Sequence, residues 1–260
     1  MNCNPTVSII IVTYNAEKFI EKTILSILNQ SYKNYEIILI DGDSNDKTID
    51  IINNYKQYFT VYISEKDNGI YDAMNKGVIR SSGYWVCFLN AGDTFTNNNI
   101  LNNLFNNKKY HYDIIYGDVK VIYPDFNIIL KAGNLQNIWK GMQFSHQSVF
   151  IRKDLQIKYL YQTKYKIVSD YDFFLNCFHL GYNFFYLNTI ISNVITGGVS
   201  DNNRLITLIN TAKISLKKDF KFIHFIYFLF IYLLNIFKTL LKYILPNQFI
   251  NFFIKSKNGK

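Results

Sequence analysis

Polar side chains follow three apolar runs of the sequence, each directly after the run ends. These junctions are residues 7–12 before Thr13, Tyr14 and Asn15, residues 37–40 before Asp41, and residues 85–89 before Asn90, Ala91, Gly92 and Asp93. Carboxylate and amide oxygens accept hydrogen bonds and bind hard divalent cations. The three junctions therefore predict a site for a polar ligand, held directly or through a metal ion.

The apolar runs indicate the fold that positions these groups. Continuous stretches of β-branched and aromatic residues are typical of parallel strands covered on both faces. We expect strands at 7–12, 36–40, 61–64 and 85–89, alternating with helices at 17–29, 46–58 and 70–79. This alternation predicts an α/β fold with a mostly parallel central sheet flanked by helices. Ligands of such sheets bind beyond the carboxyl ends of the strands, where the polar groups lie.

The pattern changes after Asp93. We expect helices at 100–105 and 169–180, and short strands at 113–116, 120–123, 149–151, 184–187 and 190–194. The first part therefore predicts a nucleotide-binding half, and the second an acceptor-binding half on the same sheet. Together they form a catalytic domain over residues 1–215, which leaves residues 216–260 as a hydrophobic helical tail.

The tail contains a run without charged residues at 222–237 and a second apolar stretch at 249–254. Lysines flank the first run at Lys217, Lys218, Lys221, Lys238 and Lys242. The run is shorter than the roughly 20 residues that span a bilayer, and aromatic residues with basic borders are typical of the membrane interface. A buried C-terminal helix is the alternative; we favour peripheral attachment to a membrane surface.

Composition limits the range of partners. The chain has 260 residues, 49% of them hydrophobic, and a formal net charge of +9. This charge favours anionic partners such as a nucleotide phosphate or an acidic membrane. Outside the tail no basic stripe with interleaved aromatic residues occurs, so we expect no nucleic-acid partner. Cys3, Cys87 and Cys177 are scattered, which predicts reduced thiols and no zinc site.

The N-terminus has no basic segment followed by an apolar one, so we expect no signal peptide. With the tail at the membrane, this predicts a cytoplasmic protein attached to the inner face of the cell membrane.

Four motifs in register resemble those of the family 2 glycosyltransferases with the glycosyltransferase A-type fold. They are residues 8–15, residues 41–48, residues 63–77 and residues 88–93. The likeness covers roughly the first two hundred residues and is strongest to bacterial members that build surface polysaccharides. It implies a hexosyltransferase-type enzyme of class EC 2.4. Such an enzyme transfers a sugar with inversion from a nucleotide-diphosphate donor, most often a UDP-sugar, to a glycan or a lipid-linked glycan.

The resemblance assigns most motif residues to the nucleotide sugar. Thr13, Tyr14 and Asn15 would hold the nucleobase, and Asp41 would bond its edge. The further positions are Asn68, Gly69, Tyr71, Asp72, Asn75, Lys76, Asn90, Ala91 and Gly92. Two plainer interpretations stay open, because the sequence after Asp41 also fits a turn that caps a helix, and Asp72 with Lys76 also fits an i,i+4 surface pair.

The resemblance also implies a metal and a catalytic base. Asp93 would hold Mg²⁺ or Mn²⁺, although Asn90 and Gly92 stand where the family usually has further acids. His146 and Gln147 resemble a pair near the acceptor or donor sugar, and Asp170 matches the general base. For His146 a structural role, and for Asp170 a helix-terminal acid, are the alternatives. The glycines of residues 197–200 resemble a loop that closes over the donor, but a simple turn has the same pattern.

Three other functions are less consistent with the sequence. A sugar-nucleotide pyrophosphorylase needs a glycine-rich phosphate loop near the N-terminus, and residues 13–17 do not form one. A dinucleotide-dependent dehydrogenase needs a G-x-G-x-x-G turn after the first strand, which is missing. A non-catalytic, membrane-associated nucleotide-sugar binding protein stays open, because only the loss of turnover on substitution of Asp170 would exclude it.

Overall fold

The computed structural model describes residues 6–198 and 203–244. In the first half, strands and helices alternate as expected. The elements are β1 (Val7–Thr13), α1 (Ile20–Leu28), β2 (Tyr35–Asp41), α2 (Thr48–Asn53), β3 (Val61–Ser64), α3 (Ile70–Arg80) and β4 (Trp85–Phe88). The helix expected at 46–58 is shorter than predicted, because the chain leaves α2 after Asn53 and continues as a 3₁₀ turn, Lys56–Tyr58.

The second half contains more elements than the sequence indicated. They are β5 (Thr94–Phe95), α4 (Ile100–Phe105), β6 (Ile114–Ile122), β7 (Asn127–Leu130), β8 (Val149–Arg152), α5 (Lys153–Lys158), α6 (Ser169–His179), β9 (Phe184–Ile195), α7 (Arg204–Lys218) and α8 (Phe222–Ile244). Two 3₁₀ helices, Leu135–Lys140 and His146–Ser148, precede β8. The sequence analysis anticipated neither α7 nor the short β5, β7 and α5.

The nine strands of the described residues form one sheet in the order β3-β2-β1-β4-β8-β6-β9-β5, with β7 paired to β6. The expectation of a mostly parallel sheet was wrong, because β8 runs antiparallel to both β4 and β6. Parallel pairing needs a long crossover connection, whereas β6 and β7 are joined by only residues 123–126. The sheet is therefore parallel in the β1–β4 half and mixed beyond it.

The strands of the first half are buried on both faces, as their composition predicts. Ile10 and Ile38 belong to the apolar cluster on one face of the sheet, and Ile9 and Ile37 to the cluster on the other. Helix α3 packs closely on β1, because a Cβ atom on Gly77 would lie 2.4 Å from Cγ2 of Ile10. This close approach fixes where α3 begins relative to the sheet.

Two pairs of predicted strands are single strands in the structure. The interruption expected at Gly117 and Asp118 is a register shift between β6 and β9, and β9 runs without a break through Ile195. A side chain on Gly117 would meet the carbonyl oxygen of Thr189 at 2.6 Å, so the glycine permits the shift. The extended β9 carries the chain to the edge of the sheet where β1 and β4 end.

Helices α7 and α8 follow one another along the chain, and α8 packs against the 3₁₀ helix Leu135–Lys140. The His224 ring stacks on Trp139 with centroids 3.8 Å apart, and Phe228 packs on Trp139 edge to face. The proposed boundary after residue 215 falls within α7. Between residues 6 and 198 and between 203 and 244, no helix is both long and apolar enough to cross a bilayer. The apolar stretch at 249–254 lies outside the described residues.

Candidate active site

A cavity of about 820 Å³ lies beyond the carboxyl ends of β1 and β4. Its first wall comes from the strand ends and from the start of α3, and includes Thr13, Tyr14, Gly69, Tyr71 and residues 90–93. Its second wall comes from residues 142–147, the start of α6, the end of β9 and α7. Asp93 and Asp170, which lie far apart in the sequence, therefore face the same cavity.

The carboxylate of Asp170 is held by two neighbours. The Nδ1 of His146 lies 3.3 Å from its Oδ2, and the Tyr71 hydroxyl lies 2.8 Å from its Oδ1. The same hydroxyl lies 2.7 Å from the carbonyl oxygen of Ile167. Burial alone would raise the pKa of Asp170, but hydrogen bonds from His146 and Tyr71 hold this pKa below its ordinary value. Asp170 is therefore an ionised carboxylate with fixed orientation, which a general base requires.

The tautomer of His146 follows from its contacts. Its Nε2 lies 3.2 Å from the amide nitrogen of Asn90, which can only donate, so Nε2 accepts. The proton of a neutral imidazole then belongs to Nδ1, which faces Asp170. Asn90, His146, Asp170 and Tyr71 thus form one continuous chain of hydrogen bonds. Burial and the negative charge of Asp170 raise the pKa of Tyr71, so its hydroxyl stays a donor.

Asp93 is the second carboxylate of the cavity and is only 6% exposed. Burial raises its pKa to about 6, although the neighbouring His146 and a hydrogen bond from Gln147 oppose this shift. Its loop is fixed to α1, since Gly92 N–H donates to the Thr23 hydroxyl at 2.9 Å and that hydroxyl donates to the Asp93 carbonyl at 2.8 Å. Gly92 has a φ of +108°, which explains a glycine at this position.

The fit of a divalent cation depends on two oxygen donors. The described residues contain no cluster of three or more histidine, cysteine or acidic side chains that could enclose a metal. However, Oδ1 of Asn90 is buried without a hydrogen-bond partner in the described part of the chain, close in sequence to Asp93. Mg²⁺ is commonly bound through one or two carboxylates together with substrate phosphates. The residues present fit a cation that takes its remaining ligands from a bound diphosphate and water.

Several predicted nucleotide contacts lie on the cavity wall. Thr13, Tyr14, Gly69 and Tyr71 line it, together with Asn90, Ala91, Gly92, His146 and Gln147. Oγ1 of Thr13 is buried and has no hydrogen-bond partner among the described residues. An unpaired buried hydroxyl at a strand end is a group that a bound ligand would satisfy.

Asp41 lies close to this wall without forming part of it. It pairs with Thr13 across β1 and β2 and is fully buried. Its carboxylate accepts hydrogen bonds from the backbone and side chain of Ser44 and, at 2.8 Å, from the hydroxyl of Ser64. The turn interpretation therefore accounts for the contacts of Asp41, and an edge contact with a nucleobase stays a prediction.

Five other predicted residues are not on the described wall, and their contacts are structural. Both ends of the Asn75 amide bond the backbone of Tyr161, at 2.8 and 2.9 Å. Lys76 pairs with Glu65 at 2.8 Å and with Asp72 at 3.5 Å, as the surface-pair interpretation expects. The remaining two are Asn68, whose N–H donates to Asp72, and Asn15, whose side chain accepts from Asn45 N–H.

The structure adds lining residues that the sequence analysis did not assign. Asp67 faces the cavity beside Tyr14 and accepts a 2.8 Å hydrogen bond from Gly69 N–H. Lys166 brings a positive charge to the opposite wall. Asp67 lay within a quoted motif and could have been found there, whereas no local pattern distinguished Lys166 from its neighbour Lys164.

The glycine-rich segment reaches the cavity in part. Gly197 and Gly198 line it, directly after β9 ends. Val199 and Ser200 lie outside the described residues, so loop closure stays a prediction.

The sequence was compared with known proteins. Residues 8–184 match the profile described as glycosyl transferase family 2. The chain belongs to this family. The match includes Asp93, His146 and Asp170 and ends at Phe184, the first residue of β9, so the rest of β9 and all of α7 lie beyond it.

Curated relatives of this glycosyltransferase support the same assignment. The chain is 32% identical over 181 residues to a PGL/p-HBAD biosynthesis glycosyltransferase of Mycobacterium bovis. The alignment covers 67% of this chain and 70% of the relative. The chain is also 31% identical over 225 residues to an uncharacterized glycosyltransferase of Haemophilus influenzae. That alignment covers 83% of this chain and 89% of the relative.

Solved structures share the fold of this glycosyltransferase. TarS of S. aureus in complex with UDP-GlcNAc has a TM-score of 0.64 at 18% identity, covering 88% of this chain and 71% of TarS 1-349. Mannosyltransferase PcManGT of Pyrobaculum calidifontis, with GDP-Man and Mn²⁺, has a TM-score of 0.63 at 15% identity and covers 83% and 65%. In another structure of TarS 1-349, the chain likewise spans 65% of the length of the TarS chain. The mixed α/β sheet is therefore of the glycosyltransferase A type.

Proposed function

We propose that this enzyme transfers a sugar, with inversion, from a nucleotide-diphosphate donor to a hydroxyl of a glycan or lipid-linked glycan. The observation that carries the proposal is the contact of Asp170 with His146 and Tyr71 on the cavity that also contains Asp93. Asp170 is held ionised, and Asp93 lies in the loop after β4, three residues beyond Asn90, whose Oδ1 is buried without a hydrogen-bond partner among the described residues. With this arrangement Asp170 can act as the base at the acceptor hydroxyl, and Asp93 can hold a cation beside the departing diphosphate.

Asp170 acts as the base in this mechanism. It removes the proton of the acceptor hydroxyl, and that oxygen forms a bond to the anomeric carbon. The bond from this carbon to the diphosphate oxygen breaks, and its electron pair leaves with the nucleoside diphosphate. Attack from the face opposite the leaving group gives inversion. His146 and Tyr71 keep the carboxylate oriented toward the acceptor and keep its pKa low until the proton arrives.

The donor lies along the first wall of the cavity. Thr13 and Tyr14 would contact the nucleobase, and Lys166 would neutralise part of the diphosphate charge. Asp93, with Asn90 beside it, would hold Mg²⁺ or Mn²⁺, which when bound withdraws charge from the departing diphosphate. Resemblance to the family favours uridine, and TarS carries UDP-GlcNAc while PcManGT carries GDP-Man.

A thermal-shift screen identifies the donor. UDP-, GDP- and dTDP-sugars are added with and without Mn²⁺, because a ligand that binds the folded state raises its stability in proportion to its affinity. We expect a UDP-sugar to give the largest shift and Mn²⁺ to increase it. A larger shift with GDP- or dTDP-sugars would change the proposed donor without affecting the proposed reaction.

Substitution of the base tests the reaction. Asp170→Asn keeps the shape of the side chain but cannot accept the proton, so transfer should fall roughly 100- to 10,000-fold. Donor affinity should change little. Asp154→Asn is the control, since Asp154 is an exposed carboxylate that pairs with Arg152 and does not line the cavity. Unchanged transfer by Asp170→Asn would exclude Asp170 as the base and favour a different reaction.

Activity assays on the unaltered chain separate the alternative functions. A non-catalytic nucleotide-sugar binding protein would show no transfer in the unaltered chain. A sugar-nucleotide pyrophosphorylase would release the sugar 1-phosphate when pyrophosphate is supplied with the nucleotide sugar. Release of free nucleoside diphosphate that depends on an acceptor is expected only of the transferase.

We also propose that α8 attaches the enzyme to an anionic membrane surface. Its outward face exposes apolar side chains, and Lys217 and Lys221 lie at its start. The exposed residues include Ile223, Ile226, Leu229, Phe230, Leu233 and Phe237. The opposite face is covered, because His224 and Phe228 pack on Trp139. An apolar helix face bordered by lysines is typical of interfacial attachment.

Substitutions on the outward face test the attachment without disturbing the packed face. In the triple variant Ile226→Gln, Phe230→Gln and Leu233→Gln, helix content and donor hydrolysis should stay unchanged. The unaltered chain should sediment with vesicles of phosphatidylcholine and phosphatidylglycerol, and less with phosphatidylcholine alone. The triple variant should stay in the supernatant. Equal sedimentation of both proteins would contradict the assignment of α8.

A further inference from the structure

Part of the cavity wall is built by residues outside the family match. The match ends at residue 184, whereas the end of β9 and two residues of α7 line the cavity. The two are Thr207 and Thr211, one helical turn apart and therefore on one face of α7. This wall therefore lies outside the family match, whereas the strand ends at Asn90 and Asp93 lie within it.

The chemistry of this wall is apolar. Val194 and Ile195 at the end of β9 join the Thr207–Thr211 face, and Met142 and Phe144 also line the cavity. The hydroxyl of Thr207 is already bonded to the carbonyl of Asn203 at 3.1 Å. These residues offer contact surface for hydrocarbon, with few donors or acceptors for the hydroxyl groups of a second sugar.

Helix α7, which carries part of this wall, is followed directly by α8, whose outward face is apolar. Helix α7 ends at Lys218, and α8 begins at Phe222. On its outer side α7 exposes Ile206, 51% accessible, while Ile214 is buried. Helix α7 is fixed to the catalytic helix α6 by the pair of Lys218 with Asp172. Two consecutive helices therefore carry the α8 face and part of the cavity wall.

We propose that the Thr207–Thr211 face binds an apolar group attached to the acceptor sugar, and so selects acceptors that carry a lipid or another hydrophobic aglycone. The inference rests on the proposed function, because the acceptor hydroxyl is the group that Asp170 deprotonates. It names the acceptor class and a specificity-determining surface for it. Thr207 contacts the aglycone and takes no part in proton transfer.

Alkyl glycosides are the probes for this surface. The donor identified by thermal shift is supplied with methyl and octyl glycosides of glucose, galactose and N-acetylglucosamine, kept below their micelle-forming concentrations. The octyl glycoside of the sugar that accepts should have a KM at least tenfold lower than the methyl glycoside. Equal KM values, or transfer to no octyl glycoside by a protein that hydrolyses the donor, would overturn the inference.

Two phenylalanine substitutions locate the effect. Thr207→Phe fills the wall and should raise the KM for the octyl glycoside at least tenfold, with a smaller change in the KM for the methyl glycoside. Ile206→Phe introduces the same ring on the outer side of α7 and should have no effect. An unchanged octyl KM in Thr207→Phe would overturn the inference.

Two further readouts separate this inference from the proposed membrane attachment and from the proposed function. The triple variant of α8 should keep its preference for octyl glycosides, because that preference arises in the cavity. Loss of the preference in the triple variant would assign it to α8 and overturn the role of Thr207. If the unaltered protein neither hydrolyses nor transfers any nucleotide sugar, the proposed function itself fails.

Discussion

The Nδ1 of His146 lies 3.3 Å from Oδ2 of Asp170, and their side chains are 18% and 14% exposed. The other ring nitrogen faces Asn90. Both nitrogens therefore have protein partners. His146, predicted to lie near the acceptor or donor sugar, lines the cavity and also contacts the carboxylate that would act on the acceptor, so its place beside a sugar stays a prediction. A histidine with this role affects the protonation of Asp170 more directly than it affects sugar affinity.

Tyr71→Phe should move the acid limb of the rate profile to higher pH. Burial would raise the pKa of Asp170, but hydrogen bonds from His146 and Tyr71 hold this pKa below its ordinary value, so the carboxylate stays ionised into the acidic range. Loss of the Tyr71 hydroxyl leaves burial less opposed, so the pKa of Asp170 should rise and the acid limb should move with it. The measurement is kcat/KM from pH 4 to 8.

Tyr161→Phe is the control for that prediction. The Tyr161 ring packs 5.3 Å from the Tyr71 ring, but its hydroxyl is buried without a hydrogen-bond partner in the described structure. Its removal should leave the acid limb in place. An unshifted profile in Tyr71→Phe would contradict the role assigned to this hydrogen bond.

Asp93→Asn should stabilise the metal-free protein at neutral pH. The pKa of Asp93 is raised by burial to about 6 from an ordinary 3.8, and the carboxyl is 6% exposed. A raised carboxyl pKa contributes stability below pH 4 that is lost as the pH rises through 6, by at most roughly 3 kcal/mol. Asparagine stays neutral and avoids this loss.

Thermal unfolding of both proteins in a chelator, from pH 4 to 7.5, measures this difference. The melting temperatures should diverge as the pH rises, with the variant higher at pH 7.5. Addition of Mn²⁺ and a nucleoside diphosphate should then stabilise the unaltered protein more than the variant. Parallel curves would show that Asp93 ionises in the folded state as easily as in the unfolded one.

Lys166→Met should weaken donor binding several-fold. Lys166 lines the cavity opposite the strand ends, and its removal leaves the diphosphate with one fewer positive neighbour. Since the side chain is exposed, salt should reduce the difference between the variant and the unaltered enzyme. Lys164→Met is the control, because that ammonium lies over the Tyr165 ring. Equal donor KM values for the two variants would exclude a contact with Lys166.

Gly77→Ala should destabilise the fold, although alanine favours a helix over glycine by about 1 kcal/mol. The added Cβ would lie 2.4 Å from Cγ2 of the fully buried Ile10, so α3 or β1 must shift. Overpacking of this kind costs about 1–3 kcal/mol. Urea unfolding gives the sign directly, and a gain in stability would mean that α3 moves freely on the sheet.

Local pattern determined much of this protein. The apolar runs at β1, β2 and β4 predict buried strands from local composition, because short continuous β-branched stretches are typical of strands covered on both faces. The polar residues that follow them are at strand ends for the same reason. The expected helix at 169–180 is confirmed as α6, which carries Asp170 at its first turn. The motifs also identified the family.

Tertiary structure decided strand direction and the orientation of side chains. A short strand such as β8 has the same composition whether it pairs parallel or antiparallel, and its partners β4 and β6 lie far away in the sequence. For the same reason the sequence could not show that Lys166 lines the cavity whereas Asn75 and Lys76 do not. Sequence spacing shows which residues share an element, but only long-range packing determines which face of that element meets the ligand.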